Sequence, residues 1–215
     1  MKYHFHWLCL LLLIGLLGCS KDDSENPVVP ETADPWPDEV ISFRPGSGAG
    51  FGQSNYPGNV LGAPDTSASW YSPSNRETEI LAMGNGGELV LAFRDGGIEN
   101  GEGVDFTIFE NVFENRISHE LYQECAFVSV SDNGNDWFTF PYDTITFVGL
   151  AGRTPTNGNI NPTMFPEAGG DGFDLATVGL QHATFVKLTD CGSSIPDDGD
   201  SFDLDAIVVL NGEGK

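Results

Sequence analysis

Glu124-Cys125-Ala126-Phe127-Val128-Ser129-Val130-Ser131-Asp132-Asn133-Gly134-Asn135-Asp136-Trp137-Phe138-Thr139-Phe140 is the stretch that decides the fold class. Its first half alternates with period two: Ala126, Val128 and Val130 share one face and Phe127, Ser129 and Ser131 the other, as in a strand. Asp132-Asn133-Gly134-Asn135 supplies turn residues, and the β-prone run Asp136 to Phe140 follows. The stretch therefore predicts a strand, a tight turn and a second strand.

Outward in both directions the same grammar repeats. Val40–Phe43, Glu79–Met83, Glu88–Phe93, Val104–Phe109, Ala183–Leu188 and Leu204–Leu210 are short β-prone runs, separated by Gly84-Asn85-Gly86-Gly87, Asp95-Gly96-Gly97 and Asn100-Gly101-Glu102-Gly103. About eight strands at this spacing predict an all-β chain, an antiparallel β-sandwich or jelly roll. Glu114 to Gln123 has room for a short helix. Gly149 to Gly172, with Pro155, Pro162 and Pro166, reads as a long loop of the kind that is functional or mobile. Gly46, Gly48, Gly50 and Gly52 lack the Gly-x-Gly-x-x-Gly form and read as a flexible loop leading into the domain.

The first residues carry a different message. One lysine precedes Leu8-Cys9-Leu10-Leu11-Leu12-Leu13-Ile14-Gly15-Leu16-Leu17, an apolar run shorter than the ~20 residues a spanning helix needs, so residues 1–18 read as an export signal. The run ends in Leu16-Leu17-Gly18-Cys19, which resembles the lipobox of bacterial lipoproteins. Cys19 is then the lipidated N-terminus, and the lipid is the membrane anchor. Ser20-Lys21-Asp22-Asp23-Ser24-Glu25 resembles the signal that sends some lipoproteins to the outer face of the outer membrane. Residues 19–38, with four prolines, read as an extended tether, and 39–215 as a single domain.

The chain carries 9 basic against 32 acidic residues, a formal charge of −23. No basic stripe is present to neutralise phosphates, so nucleic acid is excluded as a partner. Charged residues are only 19% and hydrophobic ones 40%, which argues for a folded body despite the acidity. Cys125 and Cys191 are the cysteines of the domain; one disulfide and two small buried hydrophobes are equally compatible with the sequence. With His119 and His182 as the only histidines beyond the signal, a zinc site has too few ligands.

The acid-rich Asp197-Asp198-Gly199-Asp200-Ser201-Phe202-Asp203-Leu204-Asp205 is the leading metal candidate. In a regular strand Asp203 and Asp205 share a face, roughly 6 to 7 Å apart, while Phe202, Leu204 and Ala206 face the core. Carboxylates so close repel unless a cation sits among them, and Ca²⁺ takes six to eight oxygen ligands from loops of this kind. Asp171 and Asp174, in Gly169-Gly170-Asp171-Gly172-Phe173-Asp174, form the second candidate; Glu110-Asn111 and Asp65 are weaker. Trp70, Tyr71, Trp137 and Tyr142 are candidates for stacking on the face of a neutral sugar, with core packing the competing role, above all for Trp137. Neither a Gly-x-Ser-x-Gly elbow nor a His-Glu-x-x-His motif occurs, so no catalysis is expected. A cleft holding two buried acids of perturbed pKa would revive an enzyme.

Five blocks carry a family resemblance: Val60-Leu61-Gly62-Ala63-Pro64-Asp65, Gly86 to Phe93, Gly103 to Asn111, Glu124 to Gly134, and Phe202-Asp203-Leu204-Asp205-Ala206-Ile207. In this order they resemble a family of bacterial cell-surface proteins that is itself similar to galactose-binding-like (discoidin-like) jelly rolls. The resemblance implies the jelly-roll fold, a non-catalytic binding role toward glycan, another small ligand or protein, and frequent use of calcium. Cys125 departs from it, where Glu-Ala or Glu-Pro is the usual pair. A surface-anchored binding module with Ca²⁺ is the expectation; an accessory subunit of an outer-membrane uptake or adhesion assembly is the alternative, which an exposed apolar patch would favour.

Overall fold

The computed structural model describes residues 34–195 and 201–212, so the signal segment, Cys19, Asp197, Asp198 and Asp200 lie outside the described residues. The described strands are β1 (Glu39–Arg44), β2 (Leu81–Ala82), β3 (Glu88–Ala92), β4 (Ile98–Glu99), β5 (Phe106–Glu110), β6 (Phe113–Glu114), β7 (Leu121–Tyr122), β8 (Ala126–Ser131), β9 (Phe138–Thr139), β10 (Asp171–Phe173), β11 (His182–Ala183), β12 (Phe185–Asp190) and β13 (Asp203–Val209). A five-stranded sheet runs β1-β3-β12-β8-β9 and a four-stranded sheet β10-β5-β13-β2, with every pairing antiparallel. This is the expected β-sandwich. Each of the eight runs read from the sequence contains a strand; the further strands are two or three residues long. The expected helix at Glu114–Gln123 is instead the β6–β7 hairpin, Phe113 pairing with Tyr122 and Glu114 with Leu121, its turn closed by His119 at φ 59°.

The alternation in β8 works as predicted. Ala126, Val128 and Val130 enter the core between the sheets, beside Leu89, Leu91, Val186, Leu188 and, from the facing sheet, Phe106, Ile108, Leu204 and Ile207. Phe106 is fully buried and stacks on Phe173 at 5.4 Å, while Phe140 meets both rings edge-on. Burial of each such ring stabilises by about 2–3 kcal/mol.

The four-stranded sheet is dry on its outer face too. Phe109, Ala206 and Val208 point away from the sandwich and are covered by Ala168 and Ile160 of the long 149–172 loop and by Trp36. That is why β5 and β13 read as continuous apolar runs, as strands buried on both faces do. Trp36 thus belongs to the domain: Val209 N–H donates to Pro35 O at 2.9 Å, so the last residues assigned to the tether already pack on the sheet. The glycine-rich loop is likewise fastened. Gly52 sits at φ 76°, and a β-carbon there would lie 1.8 Å from Ile80 O, a spot only glycine tolerates. Buried Asn59 holds the same corner, its Nδ2 donating to Gly52 O and Ile80 O.

Candidate functional site

A β-bulge decides where the acidic segment places its side chains. Leu204 pairs with Glu110 and Ala206 with Phe109, leaving Asp205 as the extra residue. The parity of β13 flips there, so Phe202 and Leu204 face the inter-sheet core as expected, but Ala206 faces outward and Ile207 and Val209 take the core positions. The expectation of Asp203 and Asp205 as one regular-strand pair is thereby corrected: the two meet different neighbours.

Asp205, 2% exposed, accepts the Asp65 backbone N–H with both oxygens, at 2.9 and 3.2 Å. Burial, with the charges of Asp65 and Glu79 adding to it, pushes its pKa up to about 8. Asp65 accepts from Ser67 N–H and Oγ at 2.8 Å each, from Ser74 Oγ, and from Arg76 Nη1 at 3.3 Å. Burial pushes the Asp65 carboxyl up, but these bonds and the Arg76 charge outweigh it and hold the pKa below the usual range. The pair latches the Asp65–Arg76 loop to β13.

Asp171 and Asp174 are also occupied by the fold. Asp171 accepts from Arg153 N–H at 2.7 Å and Thr154 Oγ1 at 2.9 Å, and burial raises its pKa. Asp174 caps the short 3₁₀ helix Leu175–Val178 by accepting from Ala176 N–H at 2.8 Å. Both line a cavity of about 480 Å³ with Phe140, Phe165 and Arg153. Among the described residues no group of three or more His, Cys, Asp or Glu side chains is arranged to hold a metal ion.

Asp203 lines a different cavity, of about 400 Å³, with Glu110, Glu124, Asn111, Gln123, Pro73, Phe113, Leu121 and Tyr122. Glu110 ends β5, Asp203 begins β13 beside it, and Glu124 lies just before β8. Glu110 is 3% exposed, and its Oε2 is buried with no hydrogen-bond partner. Burial first, then the neighbouring Glu124 and Asp203 charges, push its pKa well above the carboxylate range; burial and Asp190 raise Asp203 to about 6. Asp190 itself accepts from Gly86 N–H and Phe202 N–H, each at 2.7 Å. Buried Glu110 and part-buried Asp203, both of raised pKa, thus share one cleft, close to the feature an enzyme reading required. In the sequence Glu110 ranks low and Glu124 carries no signal, because neither lies in an acidic run.

The aromatic candidates divide. Trp70 and Tyr71, each 45% exposed, line a recess of about 330 Å³ with Arg116, Asn157, Pro166 and Glu167. Trp70 Nε1 donates to Glu114 Oε2 at 2.8 Å, Glu114 also meets His119 Nδ1 at 2.7 Å, and Arg116 lies over the Tyr71 ring at 4.9 Å. Hydrogen bonds from His119 and Trp70 lower the Glu114 pKa. Trp137 is half-buried under Lys187, 4.3 Å from its ring, and Tyr142 packs on Phe127 at 4.7 Å; neither lines the Trp70 recess. Cys125 and Cys191 are buried in one cluster with Leu150 and Ile195, and Cys191 N–H donates to Cys125 O at 2.9 Å. His182 Nδ1 lies 2.6 Å from Asp132 at the surface.

No helix among the described residues is long and apolar enough to cross a membrane. A scan of the chain against protein-family models finds no match, and a search of curated proteins finds none either.

Proposed function

We propose that the protein is a surface-anchored lipoprotein whose sandwich is a non-catalytic binding module, taking a neutral glycan or a similar small polar ligand in the Trp70–Tyr71 recess. The observation that carries this reading is the pre-set geometry of the two rings: Glu114 fixes the indole, Arg116 covers one face of Tyr71, and both aromatics stay open to solvent. Rigid amphipathic rings beside an amide (Asn157) and a carboxylate (Glu167) match sugar C–H faces and hydroxyls. The resemblance to galactose-binding-like jelly rolls supports it, and Cys19 supplies the anchor at the outer membrane.

Calcium enters this reading as a structural ion. The test is a neutral-glycan array followed by titration calorimetry, with Ca²⁺ and with chelator. Trp70→Ala and Tyr71→Ala are expected to abolish glycan binding while leaving the fold intact; full affinity in both variants refutes the recess as the site.

The alternative, an accessory subunit contacting protein, draws on the β6–β7 hairpin, which presents Ile117 at 92% exposure beside the exposed Leu121 and Tyr122. Crosslinking in outer-membrane preparations that is lost on Ile117→Ser and kept by Trp70→Ala would favour it.

A further inference from the structure

We propose that the pocket formed by Glu110, Glu124 and Asp203 binds an organic cation, an alkylammonium or guanidinium group whose apolar stem lies against Phe113, Leu121 and Tyr122. Three observations converge on this chemistry. The first is Glu110, which lines the pocket and whose buried Oε2 has no donor. Leaving such a group unsatisfied is costly, above all when it is charged, and a ligand N–H would recover that cost.

The second is charge. Glu110, Glu124 and Asp203 line the cavity without a Lys, Arg or His among the lining residues, and Asp190 stands behind Asp203. A cation relieves the mutual repulsion of these groups, and a chain of net charge −23 draws cations toward it.

The third is shape. The cavity holds about 400 Å³, within the range of small-molecule sites and far more than a single desolvated ion fills. Its other wall is carbon: Phe113 and Tyr122 stack at 4.8 Å with 6° between the rings, and Leu121 and Pro73 adjoin them. Ca²⁺ needs six to eight oxygens around it. A wall half carboxylate and half aromatic instead suits an ammonium or guanidinium on a short aliphatic chain, with the ring faces adding cation–π attraction.

The same chemistry is presented by a free diamine and by a basic side chain of another protein. The test is titration calorimetry of the full chain with agmatine, cadaverine and Nα-acetyl-lysine amide, beside Ca²⁺ alone. Saturable binding of at least one organic cation is expected, weakened at least tenfold by Glu110→Gln and by Tyr122→Ala. Tyr122 is half exposed, so its variant keeps the test decisive if Glu110→Gln fails to fold. Tighter binding of agmatine or cadaverine assigns the site to free cations, and tighter binding of the blocked lysine to a protein side chain. Trp70→Ala is expected to leave this binding unchanged, which separates it from the glycan recess. Absence of saturable binding at millimolar concentration, unchanged affinity in both pocket variants, or displacement of the bound organic cation by equimolar Ca²⁺ would overturn the proposal.

Discussion

Asp205→Asn is expected to make the protein more stable at alkaline pH. The carboxyl is 2% exposed and its folded pKa is about 8, against 3.8 for an ordinary aspartate. A carboxyl raised in this way favours the fold in its protonated form. Its contribution is fully present below pH 4 and is lost as pH climbs through 8. Each tenfold change in an ionisation constant is worth about 1.4 kcal/mol, so the ceiling on that loss is about 6 kcal/mol, comparable with the whole stability of many domains. The charges of Asp65 and Glu79 act on the group, Arg76 pairs with Asp65, and the Asp65 N–H partly supports the charged form of Asp205.

Asparagine keeps an oxygen for the Asp65 N–H and carries no charge. A gain of about 2–3 kcal/mol at pH 8 corresponds to about 1 M in the urea midpoint at a slope near 2–3 kcal/mol/M. The assay is urea unfolding of wild type and Asp205→Asn from pH 4 to 9. Asp203, raised to about 6, titrates within the same range in both proteins, so the difference between the two curves isolates Asp205. Parallel curves, or an Asp205→Asn protein less stable at pH 8 than wild type, would refute the reasoning.

Phe106→Ala removes the ring at the centre of the Phe140–Phe173 cluster and is expected to cost about 3–5 kcal/mol, read from the urea midpoint at constant slope, with a two-state transition retained. Gly52→Ala, at a positive φ with Ile80 O in the way, is expected to lower the melting temperature by several degrees, whereas Gly58→Ala, where a β-carbon meets nothing within 4 Å, is expected to do so far less. Cys125 and Cys191, backbone-bonded neighbours at the ends of β8 and β12, are expected to bridge under mild oxidant. Mass spectrometry reads this as a loss of ~2 Da, and the crosslink stabilises by up to about 4 kcal/mol; an unchanged mass after oxidation refutes the expectation.

The sandwich is legible in the sequence because its signals are local. Alternation in β8 and the glycine-rich turns act over a few residues, and a strand's inner face follows directly from them. The β6–β7 hairpin reads as a helix because its signal is one left-handed residue, His119, in a polar run. The acidic segment misleads for a different reason. Carboxylates adjacent in sequence share a face only while the strand is regular, and the bulge at Asp205 depends on pairing with β5, a partner nearly a hundred residues away. Glu124 is silent for the same cause: what matters is its neighbours in space, Glu110 and Asp203, which arrive on two other strands.

The long 149–172 loop is in effect a third layer, and its double employment restricts how the protein can diverge. Ala168 and Ile160 seal the outer face of the four-stranded sheet, while Asn157, Pro166 and Glu167 on the same ribbon line the Trp70 recess. Most binding loops can be rewritten without disturbing the scaffold that carries them. Here rewriting the recess wall by replacing the segment as a whole also unseals β5 and β13, so viable variants must alter recess residues singly and keep the sealing side chains between them.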